Sequence, residues 1–318
     1  MKMMKKKQRI VIFGLGSIGS RHARLLSENF SCDLVAFRKN TSLSHPLGIP
    51  EVHTWAELEK WAPDIAFVTN PTSMHVATAK RCAQKGWHLF IEKPLAHRWP
   101  GCAELQKICE KKKLVNYVAC QLRFDPIIEH LKKISLKKYT EAIVTCSSYM
   151  PNWQKGDYRK SFRAFRKMGG GVLLDLIHEP DYCAYLFGRV EGIRGEAGKK
   201  SRLKIETEDY VDIELAHQGG TKSFVHLDYY GKTEKRTIEL IGKNRSLRAD
   251  LRGRTVVTKV GDRRVVKKFP LKDKDQVYLK QLRYFFRCIT KREKPMNNIR
   301  EHLELLQPLL EFKKTQNI

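Results

Sequence analysis

Apolar residues recur along this chain in two registers, and the register changes near residue 123. Before that point, short unbroken apolar runs alternate with segments whose apolar positions return every three or four residues. The runs at 10–13, 33–38, 64–70, 88–92 and 115–121 read as strands, and the segments at 20–29, 55–61, 73–85 and 100–113 read as helices. Apolar strands alternating with amphipathic helices predict parallel βαβ units in a doubly wound sheet. Thr72 or Ser73 is expected to N-cap the helix at 73–85 and Gly86 to close it, while Pro100 opens the next one.

Beyond residue 123 a helix at 126–134 precedes a strand at 142–149, a polar, aromatic-rich loop at 150–168 and a helix at 171–187 that starts on three glycines. Strands with strict alternation follow at 190–197, 210–217, 222–229, 237–241 and 255–260, with 265–269 pairing nearby. One polar face per strand predicts a mostly antiparallel, open sheet. Helices at 276–290 and 298–314 end the pattern, and the last one could pack back on the first domain. The expected fold class is α/β, with a doubly wound parallel sheet in 1–123 and an α+β domain with a large, mostly antiparallel open sheet in 124–318.

Composition narrows this picture only slightly. With 318 residues and 42% hydrophobic content, one large or two ordinary cores are affordable. No apolar run reaches the roughly 18 residues of a membrane span, and the run after the basic N-terminus is too short for a signal peptide, so a cytoplasmic location is expected. Eight cysteines without any C-x-x-C spacing suggest reduced thiols filling space rather than a disulfide or metal framework. The net charge of +27 favours polyanions, among them anionic membrane surfaces and phosphorylated substrates. Its basic clusters at 2–9, 111–113, 132–138, 263–268 and 291–294 are dispersed and lack any nucleic-acid motif, so specific nucleic-acid binding is not expected.

Four segments carry candidate chemistry. The first strand runs into Gly14-Leu15-Gly16-Ser17-Ile18-Gly19, and G-x-G-x-x-G between a strand and a helix is a phosphate cradle. Gly14 turns the chain, Gly16 lets a pyrophosphate approach, Gly19 lets helix and strand pack closely, and Ser17 and Ile18 lie at the helix start that faces the anion. Thr69-Asn70-Pro71-Thr72-Ser73-Met74-His75 ends the third strand, where loops face a bound ligand; a plain strand end and helix cap explain Thr72 and Ser73 equally. Glu92-Lys93-Pro94 ends the fourth strand, where a lysine can donate to a substrate oxygen or simply sit at the surface. After Gly169-Gly170-Gly171, residues Asp175, His178 and Asp181 are spaced to share one helical face, and carboxylates beside an imidazole suit a general acid/base. Pro180 within that run suggests a broken turn. No metal site is expected there, since no second His stands at i+4.

Taken in this order, G-L-G-S-I-G, T-N-P-T-S-M-H, E-K-P and G-G-G-x-L-L-D-x-x-H resemble the Gfo/Idh/MocA oxidoreductases from Arg9 to about Leu310. The resemblance implies a Rossmann domain, a second domain whose open sheet often makes oligomer contacts (a dimer or tetramer), and reversible hydride transfer between a nicotinamide and a sugar or cyclitol carbon. Many members carry D-x-x-x-H, whereas Asp175 and His178 are three apart here. That shorter D-x-x-H-E-x-D form, the Pro151-Asn152-Trp153 to Asp157-Tyr158-Arg159 segment and Arg21-His22 look like a subgroup found with surface-polysaccharide and sialic-acid-like sugar synthesis. Gln154 stands where that subgroup often has a His.

The resemblance makes Lys93 the residue that polarises the reacting oxygen, His178 the proton carrier and Asp175 the group that orients them. Asn70, Pro71, His75, Glu92 and Lys93 fall on the cofactor side with the glycine loop. Arg123, Trp153, Tyr158, Arg159 and Asp181 fall on the substrate side, where Arg can grip an acidic or phosphorylated sugar bidentately. At the end of the second strand, Phe37-Arg38-Lys39 offers no acid for the ribose 2′-hydroxyl of NAD, and Arg38 suits a 2′-phosphate, so NADP is expected ahead of NAD. Two other classes compete: a non-catalytic NAD(P)-binding sensor or scaffold, and a polyanion-binding protein, including weak association with an anionic membrane.

Overall fold

The computed structural model describes residues 7–38, 47–153 and 156–318, so Lys39 and Gln154 lie outside the described residues. It divides into two compact units, one of Met1–Ala119 with Tyr278–His302 and one of Cys120–Val277 with Leu303–Ile318.

In the first unit, strands β1 (Gln8–Phe13), β2 (Cys32–Phe37), β3 (Glu51–Val52), β4 (Ile65–Val68), β5 (His88–Glu92) and β6 (Asn116–Ala119) form one parallel sheet in the order β3-β2-β1-β4-β5-β6. Helices α1 (Ser17–Asn29), α2 (Trp55–Trp61), α3 (Thr72–Gln84) and α4 (Cys102–Lys111) connect the strands. The central strands read as unbroken apolar runs because Ile10, Val11, Ile12, Phe67, Leu89 and Phe90 are all fully buried, as a sheet covered on both faces requires. The strand order reverses between β1 and β4, which puts the ligand crevice of such a sheet at their carboxyl ends. Strand β3 went unread because two residues after a proline show no period. The expected N-cap of α3 is corrected, while Gly86, at φ +86° just past the C-cap Lys85, closes the helix as expected: Pro71 is the N-cap, without a side-chain cap bond, and Thr72 is already helical. Pro71, with φ −56° and an extended ψ of 144°, stands just outside the helix and cannot continue it backwards.

In the second unit, α5 (Pro126–Lys133) starts on Asp125, which accepts from the Ile127 amide at 2.9 Å. Eight strands follow: β7 (Glu141–Ser147), β8 (Val190–Gly198), β9 (Tyr210–His217), β10 (Lys222–Asp228), β11 (Lys235–Gly242), β12 (Arg245–Asp250), β13 (Thr255–Val260) and β14 (Arg263–Lys268). Their order is β14-β13-β12-β11-β7-β10-β9-β8, antiparallel throughout except for the β7–β10 pair. Alternation shows in β7, where Ala142, Val144 and Cys146 are buried while Ile143 is exposed. Strand β12 escaped the reading because Arg-Ser-Leu-Arg-Ala-Asp is largely polar, although Leu247 and Ala249 are buried on one face. Two long helices end the chain, α8 (Asp275–Lys291) and α9 (Ile299–Thr315). None of the eight cysteines forms a disulfide.

The helix expected at 171–187 is two helices, α6 (Val172–Asp175) and α7 (His178–Phe187). Pro180 is the cause, but the break lies upstream of it. A continuous helix would need the absent Pro180 N–H to reach the Leu176 carbonyl and would drive its ring into that carbonyl. The chain breaks at Leu176–Ile177, and Pro180 falls in the first turn of α7, where a missing N–H costs little. Asp175 therefore does not share a helical face with His178 and Asp181.

On β10, the His226 ring lies between two carboxylates, with Nδ1 2.5 Å from Asp212 and Nε2 3.0 Å from Asp228. The Asp228 hydrogen bond, and then Asp212, hold its pKa above the ordinary imidazole value. The folded state thus binds this proton more tightly than the unfolded chain. The stabilisation is complete below about pH 6.5 and disappears as pH rises through the folded value. His226→Gln is expected to flatten this fall in Tm between about pH 6 and 8. Superimposable pH profiles of the two proteins would remove the pair as a source of stability.

Candidate active site

Three loops of the first unit align at the carboxyl edge of the parallel sheet. Phe13 pairs with Val68, Val68 with Ile91 and Glu92 with Ala119, so the chain after β1, β4 and β5 leaves the sheet at one level. After β1, Gly14 takes φ +91°, a conformation that favours glycine. A Cβ on Gly19 would lie 1.9 Å from the Gly14 carbonyl oxygen, so helix and turn touch as the motif requires. A Cβ on Gly16 would meet nothing within 4 Å, and no side chain caps α1. The turn therefore fits a dinucleotide pyrophosphate, with open space above Gly16 and helix amides to receive the charge. Ser17 is exposed beside it and Ile18 half-buried.

The second loop is tied to the first and third. Thr69 donates through Oγ1 to the carbonyls of Phe13 at 3.0 Å and Gly14 at 2.7 Å. Asn70 donates through Nδ2 to Thr78 at 2.9 Å. The buried His75 ring contacts the Asn70 carbonyl through Nε2 at 2.7 Å and the Pro94 carbonyl through Nδ1 at 2.8 Å. Burial holds its pKa below the ordinary value against the pull of those two carbonyls. His75 thus positions the Asn70–Pro71 and Lys93–Pro94 turns, the latter a cis peptide.

Glu92 is buried, and its Oε1 lies 2.8 Å from Nε2 of the fully buried His22. Rings of Phe67, Phe90 and Tyr278 surround that imidazole. His22 fixes the residue just before Lys93, a part that sequence reasoning missed beyond quoting it in a motif. Its signal was the buried face of α1, which His22 shares with Gly19, Ala23 and Leu26. Lys93 is half-buried. Arg38, just past β2, carries an unforeseen partner: its Nη1 lies 2.6 Å from Glu51 on β3.

In the second unit, the three glycines seat the start of α6. A Cβ on Gly170 would lie 2.2 Å from the Arg163 carbonyl oxygen, and one on Gly171 equally close to the Glu208 carboxylate. Buried Glu208 accepts from the Leu173 amide at 3.3 Å and from Lys313 at 3.2 Å. Asp175 accepts from Arg163 Nε at 2.7 Å and from the Tyr229 hydroxyl at 3.1 Å. Trp153 joins this group, its ring edge-on to Tyr229 and its Nε1 donating to Ser148 at 2.7 Å. Arg163 and Tyr229 are further residues that the sequence did not single out; nothing local marks Arg163 among its basic neighbours. His178 is buried at the first position of α7. Asp181, three residues on, binds Arg123 bidentately at 2.9 and 2.7 Å, with both side chains buried. Tyr158 accepts from the Lys204 amide at 3.2 Å, and exposed Arg159 pairs with Asp157 at 2.8 Å. The structure thus brings Trp153 to Tyr229, which bonds Asp175, and Arg123 to Asp181, while Tyr158 meets the Lys204 amide and Arg159 keeps a local pair with Asp157.

Residues 8–120 match the model of an oxidoreductase family with an NAD-binding Rossmann fold, and residues 130–248 match the GFO/IDH/MocA C-terminal domain. The chain belongs to the Gfo/Idh/MocA family. Among curated relatives, this Gfo/Idh/MocA chain is 24% identical over 156 residues to the 2,7-anhydro-N-acetylneuraminate hydratase of Escherichia coli K12, covering 49% of this chain and 38% of that protein. It is 29% identical over 192 residues to the inositol 2-dehydrogenase of Rhizobium meliloti, covering 57% and 55%. The chain spans about half the length or less of the first curated relatives it matches. The fold is that of the UDP-N-acetylglucosamine 3-dehydrogenase of Acidithiobacillus ferrooxidans, with a TM-score of 0.82 at 16% identity over 98% of this chain and 97% of that one.

Proposed function

We propose that this chain is an NAD(P)-dependent oxidoreductase that transfers hydride to or from a CH–OH carbon of a sugar, nucleotide sugar or cyclitol. The observation that carries the reading is the alignment of the glycine turn, the Thr69–Pro71 turn and Glu92-Lys93-Pro94 at one edge of the parallel sheet. The relatives' names, an inositol dehydrogenase and a nucleotide-sugar dehydrogenase among them, support the substrate class. The resemblance of the D-x-x-H-E-x-D and P-x-W segments to a surface-polysaccharide subgroup supports a role in that sugar metabolism.

When bound, the nicotinamide cofactor supplies or accepts the hydride. Gly14, Gly16, Ser17, Ile18 and Gly19 hold the pyrophosphate, and Asn70, Pro71, His75 and Glu92 shape the edge beside it. Lys93 donates a hydrogen bond to the substrate oxygen, whose electrons are thereby polarised. His178 takes the hydroxyl proton in oxidation and returns it in reduction. Asp175, itself held by Arg163 and Tyr229, orients the reacting groups. Arg38 is the residue that, taken alone, would grip a 2′-phosphate. The open face of the second sheet, where exposed Phe224 and Ile143 pair across strands, supports a dimer or tetramer. Among the described residues no helix is long and apolar enough to cross a membrane. The basic, fully exposed β14 is the segment that an anionic membrane would attract.

Fluorescence titration with NADPH and NADH at physiological salt, followed by turnover assays on nucleotide sugars, free sugars and cyclitols, tests this. Micromolar binding with turnover of one class is the expected result. Binding without any turnover would favour a cofactor-binding sensor, and absence of binding would overturn the reading.

A further inference from the structure

The end of β2 is where a Rossmann unit reads the adenosine ribose, and there a carboxylate next to the sugar favours a 2′-hydroxyl over a 2′-phosphate. No acid follows β2 in this sequence. The structure supplies one from the neighbouring strand. Glu51 on β3 lies 2.6 Å from Arg38 Nη1, and the two side chains are only 14% and 26% exposed. Arg38 is also held by its main chain: its amide donates to the Val52 carbonyl at 3.1 Å, and its carbonyl lies 2.8 Å from Nδ1 of His53. Phe37 pairs with Phe13, so Arg38 stands level with Gly14, the first glycine of the cradle.

We infer that Glu51 is the residue that sets the dinucleotide preference of this chain, by holding the Arg38 guanidinium and placing a carboxylate beside the ribose position. The inference rests on the dinucleotide reading of the same site. A guanidinium already paired with a carboxylate has fewer N–H groups to offer a phosphate. A 2′-phosphate brought to Arg38 also meets the charge of Glu51, in a half-buried setting where solvent screens little. A 2′-hydroxyl meets no such repulsion and can donate to that carboxylate. Arg38 alone argues for NADP; the Arg38–Glu51 pair works against it.

The test is the ratio of Kd for NADH to Kd for NADPH, measured by fluorescence titration of the full chain. Glu51→Gln, which keeps the shape and removes the charge, is expected to move that ratio about tenfold or more towards NADPH, with NADH affinity falling slightly. Arg38→Ala added to Glu51→Gln is expected to reduce the shift to the part that loss of the Glu51 charge causes by itself. Arg38→Ala alone, which leaves Glu51 in place without its 2.6 Å partner, is expected to weaken NADPH at least tenfold relative to NADH, because the uncompensated carboxylate then faces the 2′-phosphate, and keeps the idea testable if Glu51→Gln folds poorly. A ratio unchanged within twofold in Glu51→Gln overturns the role of Glu51 while the site stands. Failure of the native chain to bind either nucleotide overturns the site and the inference with it.

Discussion

Lys93→Met and His178→Ala are each expected to lower kcat by about 10²- to 10⁴-fold, the range in which a positioned proton-transfer or polarising group contributes. Dinucleotide affinity should change little in either variant. The argument is positional for Lys93, which follows the buried Glu92 held by His22, so its main chain is fixed at the sheet edge. For His178 it rests on a buried imidazole at the first position of α7, three residues beyond the anchored Asp175. Turnover measured beside a nucleotide titration separates the two effects. Near-native kcat in either variant would remove that residue from the mechanism.

Arg123→Met is expected to act on stability before it acts on substrate. Arg123 and Asp181 form a bidentate pair with side chains 9% and 1% exposed. Removing one partner of such a pair leaves a buried charge without its counterion and typically costs about 3–5 kcal/mol. Urea unfolding followed by tryptophan fluorescence should show that loss. Adding Asp181→Leu should recover most of it, because apolar replacement of both partners is often nearly neutral. Unaltered stability with a raised KM would instead return Arg123 to the substrate-binding role that its sequence context suggested.

The same pair illustrates where the sequence stops being legible. The glycine turn, the strand ends at Val68 and Glu92 and the alternation of β9 and β10 could be read because each is a local pattern: a turn that needs glycine, or a period of two. The partners of charged residues could not, since Arg123 meets Asp181 and Arg38 meets Glu51 only through the fold. Asp175 and His178 looked like one helical face because spacing assumes an unbroken helix. Pro180 signals a break, but its effect falls four residues upstream, where its missing N–H would have bonded. Strands β3 and β12 were lost for opposite reasons: one is too short to show a period, and the other hides two apolar residues among charges. That the second sheet contains a parallel pair left no local mark at all.

That parallel pair has a consequence for how the polypeptide is made. Strand β7 is the earliest strand of its sheet in the chain, yet it lies inside it, between β10 and β11. Lys222, which opens β10, follows Ser147 by 75 residues, and β11 comes later still. At about 5–20 residues per second of synthesis, β7 waits on the order of ten seconds with both edges bare. An apolar strand with unpaired edges invites pairing with other chains. A nascent polypeptide halted before Lys222 would hold this strand uncovered, so the central position of β7 ties completion of the second sheet to translation past β11.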